Sequence, residues 1–385
     1  MTPLRFLLIF LLSSSIVFGQ VQKKNIALTP PLGWNTWNTF HCDVDEKLII
    51  GAADAMVSSG MKDAGYEYVV IDDCWQIGRD STGKIIADPV RFPSGIKALA
   101  DYVHSKGLKF GIYSDAGTMT CAKRPGSLGF EKMDAQTYSD WGVDYLKFDW
   151  CHTRKLKPSE TYPIMGKELS LVDRDIVFSI CNWGVDDPWL WAGESGHLWR
   201  TTGDITPHFS GFKIPFFQTV VSIIDRQAKL YPYAKPGSWN DPDMLEVGNG
   251  LSQNENRAHF SMWCMMAAPL MAGNDIRTMS AEVTEILTNK EMIAVDQDPL
   301  GKQSQRIVDN GNHEIWVKEL SNGGKAICFF NRSTKPWTIS PNWDMLGIDA
   351  TKELRDVWKL ADTGAASSIT SVKVEGHDVV VYRVR

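Results

Sequence analysis

Apolar runs of strand length alternate with segments of helical periodicity along most of the chain. Leu48, Ile49, Ala52 and Met56 recur at helical spacing in one such segment. Continuous apolar runs predict buried strands at 32–34, 68–73, 108–113, 143–149, 176–181 and 198–202, with further candidates near Trp239 and Ala268. Continuous apolar strands separated by helices are typical of a parallel sheet.

The helices between these strands have start and stop signals. Ser94 is expected to cap a helix that ends at Gly107, and residues 135–141 belong to another helix. The strand count approaches eight, which favours a (β/α)8 TIM barrel over residues 25–305 rather than an open doubly wound sheet. No G-x-G-x-x-G motif follows the first strand, which argues against a nucleotide-binding sheet.

The pattern changes after Gly301, where short alternating strands replace the helices. These strands are predicted at 314–318, 326–330 and 379–382, with Asn-Gly hairpin signals at 310–311 and 322–323. Residues 306–385 are therefore expected to form a C-terminal antiparallel β-sandwich domain. This region has no cluster of catalytic polar groups, so its expected role is to support the barrel.

The first residues have the pattern of a targeting segment. Arg5 precedes an apolar run at 6–12, and small residues follow up to Gly19. This order predicts a signal peptide over residues 1–19, and the apolar run is shorter than the roughly 20 residues of a membrane span. The mature protein is therefore expected in a periplasm or outside the cell, without a membrane span.

Composition narrows the classes of function. The net charge is −6 and no basic cluster occurs, which argues against nucleic acid as a partner. The eight histidines and seven cysteines show no zinc-binding spacing, so no metal is expected. In an exported protein disulfides are expected, and four cysteines near predicted strand ends can pair locally: Cys42, Cys74, Cys121 and Cys151. Three lie in apolar runs and are interpreted as buried thiols: Cys181, Cys264 and Cys328.

Polar and aromatic residues follow the predicted strands, and a barrel brings such positions to one mouth. The candidates are Trp37, Asp72, Asp73, Tyr113, Lys147, Asp149, Asn182, Trp183, Arg200, Asp204 and Asp243. So many carboxylates in one pocket require Lys147 and Arg200 as compensating cations, or a proton on one carboxylate. One ionised and one protonated carboxyl group is the combination that glycoside hydrolysis needs.

Asp149 is the first candidate for a catalytic carboxylate. It ends a strand, with Lys147 and Trp150 beside it. A carboxylate flanked by a cation and a flat apolar ring suits a nucleophile that faces a sugar, because the cation keeps it ionised. The alternative for Asp149 is a structural ion pair.

Asp204 is the candidate for the second carboxylate. Gly203 is expected to let the backbone turn and present this side chain inward. The alternatives for Asp204 are a helix N-cap or simple pairing with Arg200.

These residues lie in segments that resemble glycoside hydrolase family 27, the α-galactosidase (melibiase) family. The matching segments are PLGWNTW at 31–37, KDAGY at 62–66, IDDCW at 71–75, ADPVRFP at 87–93, YVHSKGLK at 102–109, LKFDWC at 146–151, WNDPDM at 239–244 and DQDPLGKQ at 296–303. They follow one another through the whole predicted barrel, so the match is specific, and it weakens past residue 305.

The resemblance implies a retaining exo-glycosidase without a cofactor, in which Asp149 is the nucleophile and Asp204 the acid/base. It implies that the terminal sugar is bound by Trp37, Asp72, Asp73, Tyr113, Lys147, Arg200 and Asp243. It also implies two disulfides, Cys42–Cys74 and Cys121–Cys151. Asp72 and Asp73 can accept hydrogen bonds from O4 and O6 of galactose, while Trp37 can stack on the apolar sugar face.

One position departs from the family pattern. Asn182 stands where many members carry Glu in a Cys-Glu-Trp segment, and in relatives this position faces C2 of the sugar. The expected activity is release of terminal α-linked galactose from oligo- or polysaccharides. The alternatives are a β-L-arabinopyranosidase of the same family and a non-catalytic sugar-binding barrel.

Overall fold

The computed structural model of this protein describes residues 24–384, so the predicted signal peptide at 1–19 lies outside the described residues. The strands before residue 305 are β1 Leu32–Asn35, β2 Tyr68–Val70, β3 Gln76–Arg79, β4 Ile85–Ala87, β5 Lys109–Asp115, β6 Tyr145–Asp149, β7 Val177–Cys181, β8 Leu198–Arg200, β9 Trp239–Asp241 and β10 Leu270–Ala272. Eight of them form one parallel sheet in the order β10-β1-β2-β5-β6-β7-β8-β9, while β3 and β4 form a separate hairpin.

The sheet closes on itself just beyond β9. Leu245 forms a parallel bridge with Ala272 of β10. The Leu245 amide donates to the Met271 carbonyl (2.8 Å), and the Gly273 amide donates to the Leu245 carbonyl (3.0 Å). The predicted barrel is confirmed, and the carboxyl ends of its strands meet at one mouth.

Helices cover the outside of the barrel. Among residues 24–384 they are α1 Trp37–Phe40, α2 Glu46–Ser58, α3 Met61–Ala64, α4 Gly95–Ser105, α5 Glu131–Trp141, α6 Pro158–Leu171, α7 Val220–Gln227, α8 Gln253–Met265, α9 Ala281–Leu287 and α10 Lys290–Asp296. The predicted side-chain cap of α4 is wrong. Ser94 has helical backbone angles, and its hydroxyl donates to Glu46 Oε1 (2.9 Å). None of these helices has the length and apolar character of a membrane span.

Alternation along the strands sorts side chains between an inner and an outer layer. On β6, Tyr145 packs in the apolar cluster inside the barrel, whereas Leu146 and Phe148 pack in the cluster beneath the helices. Lys147 and Asp149 share the inward face with Tyr145. The strand therefore delivers both polar side chains to the barrel interior near the mouth.

The remaining chain forms an antiparallel β-sandwich, as predicted. Its strands are β11 Gln305–Asp309, β12 His313–Glu319, β13 Lys325–Asn331, β14 Trp337–Ile339, β15 Glu353–Asp356, β16 Ala361–Ala365, β17 Val372–Val374 and β18 Asp378–Val384. A six-stranded sheet runs β11-β12-β13-β18-β15-β16, and β14 pairs with β17. Ile315, Phe329, Leu354 and Val374 contribute to the apolar core of this domain. We propose that residues 297–304 connect the two domains.

Helix α8 joins the barrel to the β-sandwich. Arg257 Nε donates to Asp378 Oδ1 of β18 (2.8 Å), and the fully buried Lys318 of β12 donates through Nζ to the Cys264 carbonyl (3.0 Å). From the same helix, Trp263 Nε1 donates to the Asp243 carbonyl (2.8 Å). One helix thus contacts both the β domain and the backbone of a residue at the barrel mouth.

Candidate active site

The barrel mouth contains a cavity of about 210 Å³. All candidate residues except Asn182 line it: Trp37, Asp72, Asp73, Tyr113, Lys147, Asp149, Trp183, Arg200, Asp204 and Asp243. Pockets for drug-sized ligands span roughly 300–1,000 Å³. A smaller cavity of this kind fits a single sugar ring.

Asp149 lies in the wall of the cavity and is 7 % exposed. Its Oδ2 accepts from the Tyr113 hydroxyl (2.8 Å), and its Oδ1 accepts from the Trp150 amide (2.9 Å). Burial raises the pKa of Asp149 to about 6; the Lys147 charge opposes this shift and the Asp204 charge adds to it. Burial also raises the pKa of Tyr113 far above its usual range, so its hydroxyl stays a donor. At neutral pH Asp149 is therefore ionised and held by two donors.

Lys147 makes its direct contact with a different carboxylate. Its Nζ donates to Asp72 Oδ2 (2.8 Å), an oxygen that also accepts from Asn35 Nδ2 (2.8 Å). Lys147 thus acts on Asp149 through its charge, while Tyr113 and the backbone supply the hydrogen bonds. Burial works to lower the pKa of Lys147, but the surrounding anions, Asp72 first, raise it well above its usual range.

Asp73 and Asp72 line the cavity at 1 % and 2 % exposure, and we call them the floor carboxylates. Asp73 Oδ2 accepts from the Ala122 amide (2.9 Å). Burial raises the pKa of Asp73, partly offset by this hydrogen bond and others. Two fixed, buried carboxyl groups side by side in a pocket suit recognition of the hydroxyl groups of a sugar ring.

Arg200 contacts two further carboxylates of the cavity, Asp204 and Asp243. Its Nη2 lies 3.0 Å from Asp204 Oδ1 and 2.8 Å from Asp243 Oδ2. Burial raises the pKa of Asp243 to about 6, against the Arg200 charge. The alternative that Asp204 caps a helix is wrong, because the next helix, α7, begins at Val220. The other alternative, an ion pair between Asp204 and Arg200, is present, and Asp204 also lines the cavity.

Exposure rises from the floor to the mouth. The side chain of Asp204 is 33 % exposed, whereas the side chain of Arg200 beside it is 3 % exposed. Asp149, at 7 % exposure, is intermediate between the floor carboxylates and Asp204. A sugar whose distal hydroxyls reach the floor would therefore place its anomeric carbon towards Asp149 and Asp204, with the substituent on that carbon pointing outward.

Asn182 is the candidate that the structure does not bring to the cavity. Its side chain is fully buried, and its Nδ2 donates to the Val185 carbonyl. Among the described residues its Oδ1 has no hydrogen-bond partner. The turn at 182–185, with Trp183 and Gly184 in the left-handed region, engages the amide in its own backbone. The expectation that Asn182 meets C2 of the sugar is not supported by this placement.

Gly203 is required for space. A Cβ built on it would lie 1.9 Å from the Phe216 carbonyl oxygen, and its φ is not in the left-handed region. The sequence predicted that Gly203 is needed for its backbone conformation, and the structure shows that it is needed because there is no room for a side chain. The glycine lets the 210–217 loop lie directly against the backbone beside Asp204.

Besides the disulfide-bonded Cys121, three lining residues were not among the sequence candidates for the mouth. Asn38 and Met244 adjoin or belong to the motifs quoted above, so those motifs were a signal for them. Phe216 lies in an apolar loop without a motif, and only its tertiary contacts bring it to the cavity.

Two disulfides frame the same region. Cys42 is bonded to Cys74 and Cys121 to Cys151, at sequence separations of 32 and 30. Cys121 lines the cavity and precedes Ala122, whose amide holds Asp73. The predicted buried thiols are also found: Cys181, Cys264 and Cys328.

One group of potential metal ligands lies beside the cavity. Asp115, Cys121, Asp149 and Cys151 place ligand atoms within 4.8 Å of one another. Both sulfurs are in the disulfide and are therefore not thiolate ligands. Burial raises the pKa of Asp115 to about 9, so this carboxyl group is protonated at neutral pH. The donor set does not fit a metal.

Comparisons with known proteins identify close relatives. Residues 29–298 match the family described as "Alpha galactosidase A", and residues 310–384 match "Alpha galactosidase C-terminal beta sandwich domain". Alpha-galactosidase A of Cellvibrio japonicus is 50 % identical over 386 residues, covering 96 % of this chain and 95 % of that protein. Alpha-galactosidase I of Mortierella vinacea has a TM-score of 0.89 at 38 % identity, over 93 % of this chain and 97 % of that one. An alpha-galactosidase of Saccharomyces cerevisiae, solved with raffinose, has a TM-score of 0.87 at 30 % identity, over 94 % and 98 % of the two chains.

Proposed function

The chain belongs to the α-galactosidases of glycoside hydrolase family 27, and we propose that it releases terminal α-linked galactose with retention of anomeric configuration. The observation that carries this proposal is the contrast between two carboxylates in one cavity. Asp149 is enclosed and held by donors, whereas Asp204 lies at the open end. The first environment suits a nucleophile, and the second suits a group that exchanges protons with a leaving group and with water.

In the first step, the Asp149 carboxylate attacks C1 of the galactosyl ring from its β face. The bond from C1 to the leaving oxygen breaks, and that oxygen takes the proton of Asp204. The product of this step is a β-galactosyl ester on Asp149. The Tyr113 hydroxyl, 2.8 Å from Asp149 Oδ2, keeps the carboxylate oriented for attack.

In the second step, Asp204 acts as a base. It takes a proton from water, whose oxygen attacks C1 from the α face while the bond to Asp149 breaks. The result is α-galactose, an ionised Asp149 and a protonated Asp204, which restores the starting state. Arg200, 3.0 Å from Asp204, stabilises the anionic form between the two steps.

The substrate class follows from the closed floor and the relatives. Asp72 and Asp73 line the cavity and are almost fully buried, and we propose that they close its inner end, so that only a terminal galactose enters. The S. cerevisiae relative was solved with raffinose, and we propose that oligo- or polysaccharides with terminal α-galactose are substrates here. Two disulfides suit an oxidising compartment, which supports export to a periplasm or the medium.

Proton NMR of the first-formed sugar tests the mechanism. We expect α-galactose to appear first and to mutarotate afterwards. First appearance of β-galactose contradicts retention. Sugar binding without hydrolysis of any α-galactoside or β-L-arabinopyranoside would favour the non-catalytic barrel.

The pH dependence of kcat/KM should show an acid limb near pH 6. Burial raises the pKa of Asp149 to about 6, and a protonated Asp149 is not a nucleophile. Activity should therefore fall about tenfold per pH unit below this value. Tyr113→Phe removes a hydrogen bond that lowers the pKa of Asp149, so the limb should move to higher pH.

Initial rates between pH 3.5 and 8 for wild type and Tyr113→Phe measure this limb. Tyr102→Phe is the matched control, since the Tyr102 hydroxyl bonds Asp54 on the surface. The same limb in all three proteins, or a downward shift in Tyr113→Phe, contradicts control by Asp149.

Lengthening either floor carboxylate should shift the sugar preference. In Asp72→Glu and Asp73→Glu the added methylene occupies the space that the CH2OH group of galactose needs, and L-arabinopyranose lacks that group. One methylene is worth roughly 10–200-fold in discrimination. We expect kcat/KM for nitrophenyl α-D-galactopyranoside to fall by that factor relative to nitrophenyl β-L-arabinopyranoside. Wild type that prefers the arabinoside would establish the alternative activity.

A further inference from the structure

We propose that Trp183 and Phe216 form a platform for the sugar on the leaving-group side of the scissile bond. The inference rests on the proposed function and deepens it, because it assigns a second sugar position at the rim of the cavity that holds the terminal galactose. The substrates that this platform favours are α-galactosides whose leaving group is itself a pyranose ring.

The two rings are in contact at the open end of the cavity. Both residues line it, and their ring centroids are 5.1 Å apart at an interplanar angle of 85°. Phe216 remains 41 % exposed. An aromatic wall with a free face at the rim of a polar pocket suits the apolar face of a pyranose.

Both residues also have a backbone conformation that bulky side chains rarely adopt. The φ of Trp183 is 56° and that of Phe216 is 79°. Such conformations cost free energy and occur where the surrounding structure requires them, often at ligand sites. Two aromatic residues in this conformation meet at the same rim.

The platform is fixed to the backbone of the proposed acid/base. The Phe216 carbonyl oxygen lies so close to Gly203 that a Cβ atom built on this glycine would be 1.9 Å from it. The Gln218 amide donates to the Asp204 carbonyl (2.7 Å), and Ile205 forms a parallel bridge with Gln218. The ring of Phe216 is thus held on the side of the cavity where Asp204 would protonate the leaving group.

The experiment compares two substrates that differ only in their leaving group. Raffinose has a sugar next to galactose, whereas α-galactosyl fluoride has no ring there. We expect the ratio of kcat/KM for raffinose to kcat/KM for the fluoride to fall roughly 5–30-fold in Phe216→Ala, the effect of losing one aromatic contact and its buried area. Phe216→Tyr keeps the ring and should keep the ratio within about twofold of wild type.

Ile214→Ala is the matched control. Ile214 lies in the same loop and is 47 % exposed, but it does not line the cavity. Its ratio should equal that of wild type. Phe216→Gly provides a second variant, because glycine adopts φ of 79° without strain. The thermal midpoint of Phe216→Gly should equal or exceed that of Phe216→Ala. Its ratio of kcat/KM for raffinose to kcat/KM for the fluoride should fall by the same factor as in Phe216→Ala.

The outcomes separate this inference from the proposed function. If Phe216→Ala lowers kcat/KM equally for both substrates, the ring only holds the loop against Asp204 and the platform is wrong, while the galactosidase assignment stands. The platform is also wrong if the ratio is unchanged in Phe216→Gly. Wild type that hydrolyses neither compound overturns the proposed function and this inference together.

Discussion

Asp149→Asn should lower kcat/KM for every α-galactoside by about 10⁴–10⁶, the range seen when a covalent nucleophile is removed. The amide cannot form the ester that links the two displacement steps. The new amide oxygen can accept from the Trp150 amide, and the new NH2 group can donate to the Tyr113 hydroxyl oxygen, so the cavity keeps its shape. Loss of turnover in a folded protein is the expected result.

Stability should not fall with activity in this variant. The pKa of Asp149 in the folded chain is about 6, above its ordinary value of 3.8. A carboxyl group with a raised pKa stabilises the fold below the ordinary value and loses that contribution as the pH rises through 6. At pH 7 a neutral asparagine avoids this loss. The thermal midpoint of Asp149→Asn should therefore equal or exceed that of wild type.

Asp144→Asn is the matched control near the other end of β6. Asp144 accepts from the Phe110 amide (2.8 Å) and pairs with Arg174 (2.6 Å), away from the mouth. It should lose thermal stability and keep kcat/KM within a few-fold. Azide offers a second test through Asp149→Gly, which leaves room for the anion. Attack from the vacated face gives β-galactosyl azide, and α-galactosyl azide from this variant would contradict the assignment.

Asp204→Ala should lower kcat/KM by roughly 10²–10⁴, the usual contribution of a general acid. Arg200 keeps its contact with Asp243 (2.8 Å), so its charge remains paired. The loss should be small for nitrophenyl galactosides, whose leaving group needs little protonation, and large for raffinose. This dependence on the leaving group distinguishes a lost proton donor from a damaged cavity.

Azide should also identify Asp204 by the product that it gives. With an activated substrate the ester on Asp149 still forms, and azide then attacks it from the α face to give α-galactosyl azide. β-Galactosyl azide, or an equal loss for good and poor leaving groups, would assign the acid/base role elsewhere. Thr202→Ala, close by in the same segment, serves as a control because its hydroxyl donates to the Gly203 carbonyl (2.9 Å) and to no carboxylate among the described residues.

The barrel was predictable because its strands are apolar on both faces. Runs such as that at β5 and β7 contrast sharply with the helices beside them. Helix α6 was not predicted, since Pro163 interrupts its pattern and Leu171 is exposed. The hairpin of β3 and β4 was also missed, because its strands are short and half-exposed and depend on pairing with each other.

The site was predictable to the extent that strand ends determine position. Asp72, Lys147 and Asp149 follow directly from their strands. Partners were not predictable: Lys147 contacts Asp72 rather than Asp149, although β5 lies between their two strands in the sheet, because both side chains enter the barrel mouth. The sequence placed Asn182 at the cavity, whereas in the structure its side-chain amide donates to the Val185 carbonyl within the turn after β7.

Because of helix α8, neither domain is expected to be replaceable without an effect on the other. Its outer side is bound by the β domain, through Arg257 to Asp378 and through the Cys264 carbonyl to Lys318. Its inner side holds the Asp243 carbonyl through Trp263. A barrel severed after residue 304 would lose the brace behind this helix, and the carboxylate that fixes Arg200 would shift with it. Replacing the C-terminal sandwich by another domain is therefore expected to disturb the barrel mouth.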